Sequence, residues 1–313
     1  MKTLRVLSVL WAVLTILAAA CGRKAPASKA RAVRLDFDGD GKADFAVFRP
    51  GTGDWFFRPA DPSKEVRSIG FGQAGSIPVP GDYEGRGSWQ CAVFRESDGT
   101  WLIRPVLGET RVVSFGQKGD IPAPADYDGD GKTDIAVFRP STGTWYALLS
   151  GSGPASANFG SKGDVPLPRD YDGDGVDDLA VFRPGTGFWY IGSGLSPKVK
   201  RALQFGRSGD QPVPADFDGD GAADPAVFRP EDGSWYVQLS AGNARWKPVV
   251  FGSPGDIALA ESFGGKRTPE LAVFRPSTET WFVLDPASGK TGSFVFGRRG
   301  DRPVGVSPAT RSY

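Results

Sequence analysis

Four stretches of this chain each place four aspartates within nine residues: Asp36, Asp38, Asp40 and Asp44; Asp126, Asp128, Asp130 and Asp134; Asp170, Asp172, Asp174 and Asp178; Asp216, Asp218, Asp220 and Asp224. Each reads Asp-x-Asp-x-Asp-Gly-x-x-Asp. Side chains at positions one, three and five converge when such a loop coils tightly. The glycines at positions four and six permit that coil because they take positive φ without a Cβ clash. So many carboxylates at this spacing repel one another unless a cation sits among them. Calcium, a hard ion taking six to eight oxygens at ~2.3–2.6 Å, suits the set, with a carbonyl near position seven and the last Asp completing the shell. Asp-Gly pairs also form turns with no ion at all. Recurrence of the whole set at one register favours calcium, and the sequence therefore predicts about four Ca2+ ions. The last acid stands at position nine between strand patterns, so the expected site is strand-loop-strand. Two further loops depart from the set: Asp82, Glu84, Arg86 and Gln90, then Ser262, Gly264, Lys266 and Glu270. There Arg86 and Lys266 are expected to supply the positive charge internally.

The elements that must position these loops repeat with them. Ala-Val-Phe-Arg begins at Ala46, Ala92, Ala136, Ala180, Ala226 and Ala272, a period of 44 to 46 residues, with a Trp nine residues after each Ala. A period in that range, filled with short strand patterns and turn residues, signals units that bury their faces only against neighbours. In the third unit a Pro-bearing extended segment, 121–126, leads into the Asp loop. Ile135–Arg139 and Thr144–Leu149 follow as strands, and a fourth ends at Phe159-Gly160. Four short strands per unit make a propeller blade. Proline at 122 and 124 cannot donate to a ladder, which places that strand innermost, at the central channel. The fold class is thus all-β: a β-propeller of six four-stranded blades, with seven as the alternative and the calcium loops between first and second strands. Gly300-Asp301-Arg302-Pro303 copies the start of a further unit and is expected to return to the first blade and seal the ring.

The Phe-Gly pairs (Phe71-Gly72, Phe115-Gly116, Phe159-Gly160, Phe205-Gly206, Phe251-Gly252 and Phe296-Gly297), together with the Asp loops, resemble the FG-GAP or VCBS repeats of integrin-α-type β-propellers. The resemblance spans nearly all of residues 31–305. It implies calcium between the first two strands of a blade and a role in adhesion, ligand binding or scaffolding.

The N-terminus resembles a bacterial lipoprotein leader. Lys2 and Arg5 precede an apolar run, Val6 to Ala20, that is short for a ~20-residue membrane span. It ends Leu-Ala-Ala-Ala-Cys21-Gly22, where the Cys21 thiol would take the lipid. The expected organisation is a signal peptide over 1–20, a flexible tether over 21–30 and the propeller over 31–313, lipid-anchored at the cell envelope. Gly22 after the Cys favours the outer membrane in a Gram-negative source. Ordinary cleavage after the alanines is the alternative.

Composition narrows the function classes. The formal net charge is only +1, too little to hold nucleic acid, and no nucleotide-binding pattern is present. Histidine is absent, which removes the commonest general base. Cys91 occupies a slot filled elsewhere by apolar residues and is expected to be a small buried hydrophobe. Arg49, Arg95, Arg139, Arg183, Arg229 and Arg275 stand six residues before each repeated Trp. The architectural expectation is that each stacks on Trp or pairs with a Gly-Asp aspartate to staple blades. The sharper alternative is a repeated sugar pocket formed by Arg139 with Trp145, Arg183 with Trp189 and Arg229 with Trp235. Arg299-Gly300-Asp301 aligns with Lys118-Gly119-Asp120 and is a repeat element, not an adhesion signal. The expected function is non-catalytic binding or scaffolding of a protein or glycan ligand. The alternatives are a multivalent lectin and, less favoured because the glutamates are scattered, an enzyme acting on polysaccharide.

Overall fold

The computed structural model describes residues 33–242 and 244–306; the predicted leader, Cys21 and tether lie outside the described residues. Twenty-four strands form six separate four-stranded antiparallel sheets, the six blades of a β-propeller. Among the described residues no helix is long and apolar enough to cross a membrane.

The innermost strands show how proline sets ladder length. Ile77–Pro78, Ile121–Pro122, Val165–Pro166 and Gln211–Pro212 each pair for two residues only. A second proline two residues later (Pro80, Pro124, Pro168, Pro214) stops the ladder, because it has no N–H to give. The sixth unit carries Ala258 and Ala260 at those places, and its inner strand Ile257–Glu261 pairs along five residues with Glu270–Arg275. These inner segments line the central channel.

Closure comes from the tail. Arg302–Pro303 adds to Phe45–Arg49, with Val47 opposite Pro303 and Phe48 opposite Arg302. The innermost strand of the first blade is therefore supplied from the C-terminal end of the chain.

Each blade's core joins the two halves of its repeat. Trp55, Trp101, Trp145, Trp189, Trp235 and Trp281 are fully buried. Each indole Nε1 donates to the carbonyl of the Phe in its own Phe-Gly pair, for instance Trp189 to Phe205 at 2.8 Å. The Phe of Ala-Val-Phe-Arg packs on the same indole, as Phe182 does at 5.2 Å between centroids. Glycine is required where the turn after the second strand meets that pair: a Cβ on Gly187, at φ +70°, would lie 2.3 Å from the Gly206 carbonyl oxygen. Cys91 is buried in the core, and burial pushes its thiol up to about 12.

Trp189→Ala is expected to destabilise the protein by about 3–5 kcal/mol through the cavity and the orphaned Phe205 carbonyl, measured by urea unfolding; Trp189→Phe recovers most of the packing but leaves the carbonyl unpaired.

Candidate metal centres

Each Asp loop is coiled by its own first aspartate. In the 170–178 loop, Asp170 Oδ1 accepts from Gly173 N at 2.6 Å and Oδ2 from Gly175 N at 2.8 Å. The two glycines adopt φ +76° and +91°. The last aspartate, Asp178, accepts from Tyr171 N through Oδ2 and from Gly194 N through Oδ1, which ties the loop to the hairpin turn between the blade's third and fourth strands. The 126–134 and 216–224 loops repeat this arrangement with Ser150 N and Ser240 N as the outer donors.

Position eight joins one loop to another. Its backbone N–H donates to the carbonyl of position one in the preceding blade's loop: Trp89 to Asp36, Thr133 to Asp82, Asp177 to Asp126, Ala223 to Asp170 and, across the closure, Ala43 to Ser262, at 2.6–2.9 Å. The sixth link would start from Pro269, which has no N–H. The loops thus form a nearly complete hydrogen-bonded circle on one face of the ring.

Each predicted loop gathers three carboxylates whose oxygens lie within 4.8 Å of one another: Asp36, Asp38 and Asp40; Asp126, Asp128 and Asp134; Asp170, Asp172 and Asp178; Asp216, Asp218 and Asp224. Oxygens on opposite sides of one calcium are ~5 Å apart, so the spacing fits that ion. The fourth aspartate of each set stands outside the trio. Asp130 accepts instead from Ser150 Oγ and Lys132 N, Asp174 from Val176 N, and Asp220 from Ser240 Oγ and Ala222 N. Asp44 accepts from Phe37 N through Oδ2. Two oxygens, Asp44 Oδ1 and Asp128 Oδ1, are buried without a hydrogen-bond partner. Such groups cost ~1–3 kcal/mol each, and a cation at the loop would relieve that cost for an oxygen it reached.

The electrostatics agree with this geometry. Burial pushes Asp134 up to about 7 against the N–H bonds from Ser150 and Tyr127, and the charges of Asp128 and Asp126 add to the rise. Burial likewise takes Asp44 to about 7, and Asp178 and Asp224 to about 6.

Lysines from the hairpin turns reach some loops. Lys64 Nζ lies 2.7 Å from both Asp38 and Asp40, and Lys200 Nζ lies 2.5 Å from Asp172. Both come from the variable stretch between third and fourth strands, which carries no sequence pattern pointing to the loops. The degenerate loops hold their own charge, as expected: Arg86 pairs with Glu84 at 3.5 Å, and Lys266 lies 4.0 Å from Glu270 and 2.5 Å from Asp285.

The Arg and Trp positions resolve differently from the sugar-pocket expectation. Trp145, Trp189 and Trp235 are at most 1% exposed, so their faces are core and cannot platform a sugar ring. Arg139, Arg183 and Arg229 stack not on Trp but on the next residue, Tyr146, Tyr190 and Tyr236, at 4.4–4.7 Å. Each also makes a two-pronged pair with its Gly-Asp aspartate, as Arg183 does with Asp164 at 2.7 and 2.9 Å. These pairs lie within one blade, fastening the turn by which the chain enters it, and do not bridge blades. Arg49 holds Asp301 in the same way, which buries the acid of Arg299-Gly300-Asp301. The second unit has Ser76 and Leu102 at the partner positions, and there Arg95 turns to Asp98.

The repeats match known families. An FG-GAP repeat model matches residues 119–156, and an FG-GAP-like repeat model matches residues 170–227. None of the curated proteins is close enough in sequence to serve as a relative. Among solved structures, an Agrocybe aegerita lectin that recognises non-reducing terminal N-acetylglucosamine is 15% identical, with TM-score 0.56 over 87% of this chain and 78% of that one. Virginiamycin B lyase from Staphylococcus aureus is 6% identical, with TM-score 0.51 over 85% and 88%. A Bacteroides caccae protein is 11% identical, with TM-score 0.51 over 79% and 92%. At these identities the likeness is one of fold.

The raised carboxyls fix the sign of a pH effect. The folded state keeps protons on Asp44, Asp134, Asp178 and Asp224 to about 6–7, while the unfolded chain releases them near 3.8. The contribution of these four groups is fully present below about pH 3.8 and is lost as pH rises through 6–7. In chelator, the urea midpoint is expected to drop between pH 4.5 and 7.5, and a flat or rising profile would contradict the burial of these groups.

Proposed function

We propose that this FG-GAP repeat propeller is a non-catalytic binding or scaffolding protein, anchored by lipid at the bacterial cell envelope and held rigid by about four calcium ions. The observation that carries the calcium reading is the gathering of three carboxylates in every loop with the full aspartate set, which among the described residues neither degenerate loop does. Asp36, Asp38 and Asp40; Asp126, Asp128 and Asp134; Asp170, Asp172 and Asp178; and Asp216, Asp218 and Asp224 would hold the ions. Bound calcium would neutralise the clustered charge and stiffen the loop coil. Extracellular modules bind calcium at Kd ~10⁻⁴–10⁻³ M, so ~1 mM calcium adds about 1.4 kcal/mol per site at the tighter end.

A structural role for the ions fits the rest of the chain. The repeated Arg and Asp side chains are committed to each other, the only described thiol is buried, and the sequence has no histidine. The lipid anchor rests on Cys21 and the leader pattern before it. Glycan binding is a second reading of the binding role, favoured by the fold shared with the Agrocybe aegerita lectin; a glycan array run in calcium would separate it from protein scaffolding.

Metal analysis of protein equilibrated at ~1 mM calcium is expected to find about four ions per chain, with a melting temperature on the order of 10 °C above that in EDTA. Asp172→Asn with Asp218→Asn is expected to remove two ions; metal-free protein with an unchanged melting temperature would refute the reading. Cys21→Ser is expected to shift the protein from the membrane fraction to the soluble fraction, and unchanged membrane retention would remove the anchor.

A further inference from the structure

The residues that break the six-fold repeat converge on the axis. The position just before each loop is occupied by Leu35, Gly81, Ala125, Arg169, Ala215 and Glu261. Only two of these are charged, and both line the channel mouth on the Asp-loop side. Two more departures join them. Arg34 comes from the segment that precedes the first loop. Trp89 stands where other loops carry Ala, Thr, Asp or Pro.

Glu261 Oε1 is shared between both guanidiniums: Arg34 Nε lies at 3.1 Å and Arg169 at 4.0 Å. Arg34 lies over the Trp89 ring at 5.1 Å, which fixes its plane. The Arg169 guanidinium donates to the Pro168 carbonyl at 3.2 Å. Asp177 and Tyr171 are the other groups near enough to act on it, and Asp177 is engaged with the Asp126 N–H. Burial and the Arg34 charge pull Arg169 down to about 10, more than Glu261 holds it up. One carboxylate oxygen, bonded to Arg34 and 4.0 Å from Arg169, does not fill both guanidinium forks, which are partly open to the funnel. An Arg fork is satisfied best by two parallel bonds to a carboxylate.

Below this group a space of about 120 Å³ lies between the proline-bearing inner strands, where Gln211 is already bonded to Ala258 in both directions. Above it a funnel of about 780 Å³ opens. Its rim carries Asp174 beside Lys132, Thr133 and Arg267, none of them in an aspartate trio. A rim of mixed acceptors and donors suits hydroxyl groups, which both give and accept hydrogen bonds.

We propose that the axial mouth is a single binding site for a sugar acid, whose carboxylate bonds Arg169 and Arg34 and whose hydroxyls face the funnel rim. It gives the binding role proposed above a location and a ligand class, and so rests on that reading, but it does not depend on calcium. A monoanion is selected over a dianion because Glu261 remains in the site and repels further negative charge. One site per chain is expected, since Arg34, Arg169 and Glu261 each occur once at their repeat positions.

Calorimetric titration with D-glucuronate tests this, with D-glucose as the neutral match and propionate as a carboxylate lacking hydroxyls. Glucuronate is expected to bind one per chain, at least tenfold tighter than either control. Arg169→Gln is expected to weaken it at least tenfold. Glu261→Gln is expected to tighten it, an opposite sign that a merely destabilised variant would not produce. Glucuronate binding no better than glucose, or unaltered by both substitutions, would overturn the site. Calcium stoichiometry measured on the same samples separates failure of this site from failure of the metal centres, since neither substitution touches the aspartate trios.

Discussion

The carboxylate at position one of each Asp loop is the constraint on which the ring depends. By drawing in the amides at positions four and six it bends the chain into a coil, as Asp170 does with Gly173 and Gly175. The coil turns the position-one carbonyl toward the next blade, where the position-eight N–H of the neighbouring loop meets it. One side chain therefore does two jobs, shaping its own loop and presenting the acceptor that fastens the following blade. The arrangement carries an electrostatic penalty, because it packs acids together and buries the last of them. Divalent ions at the trios would remove that penalty, and the degenerate loops avoid it by carrying fewer acids.

Much of this architecture was legible in the residues. The Phe-Gly pairs and the repeated Trp are the two ends of one hydrogen bond in each blade, so their strict recurrence gave blade number and boundaries. Proline at alternate positions placed the inner strand at the channel, and the Gly300-Asp301-Arg302-Pro303 tail announced closure. The strand it joins, Phe45–Arg49, could not be read, because partners more than 250 residues apart, Pro303 with Val47 and Arg302 with Phe48, leave no local pattern.

The missed features are long-range or lie where the repeat is silent. Lys64 and Lys200 sit in stretches that share no register between units, so their reach into the Asp loops has no sequence signature. The position-eight circle is made of backbone atoms and is indifferent to side-chain identity, except at Pro269. The sugar-pocket reading failed because an aromatic next to an arginine looks the same in sequence whether the ring faces solvent or core. Only the alternation of the strand decides: Trp189 points inward and Tyr190 outward beneath Arg183. Arg34, Trp89, Arg169 and Glu261 each look like an accident of one unit until the ring brings them together.

The central claim is that cation-filled Asp loops hold adjacent blades together. Hydrogen exchange at the amides of Ala43, Trp89, Thr133, Asp177 and Ala223, followed with calcium and with chelator, tests it most directly. The account predicts that calcium slows exchange at Ala43, Asp177 and Ala223, whose loops carry the full aspartate set, and at Thr133, whose loop also carries it, more than at Trp89 in the degenerate second loop. Exchange at all five positions that is indifferent to calcium would contradict it.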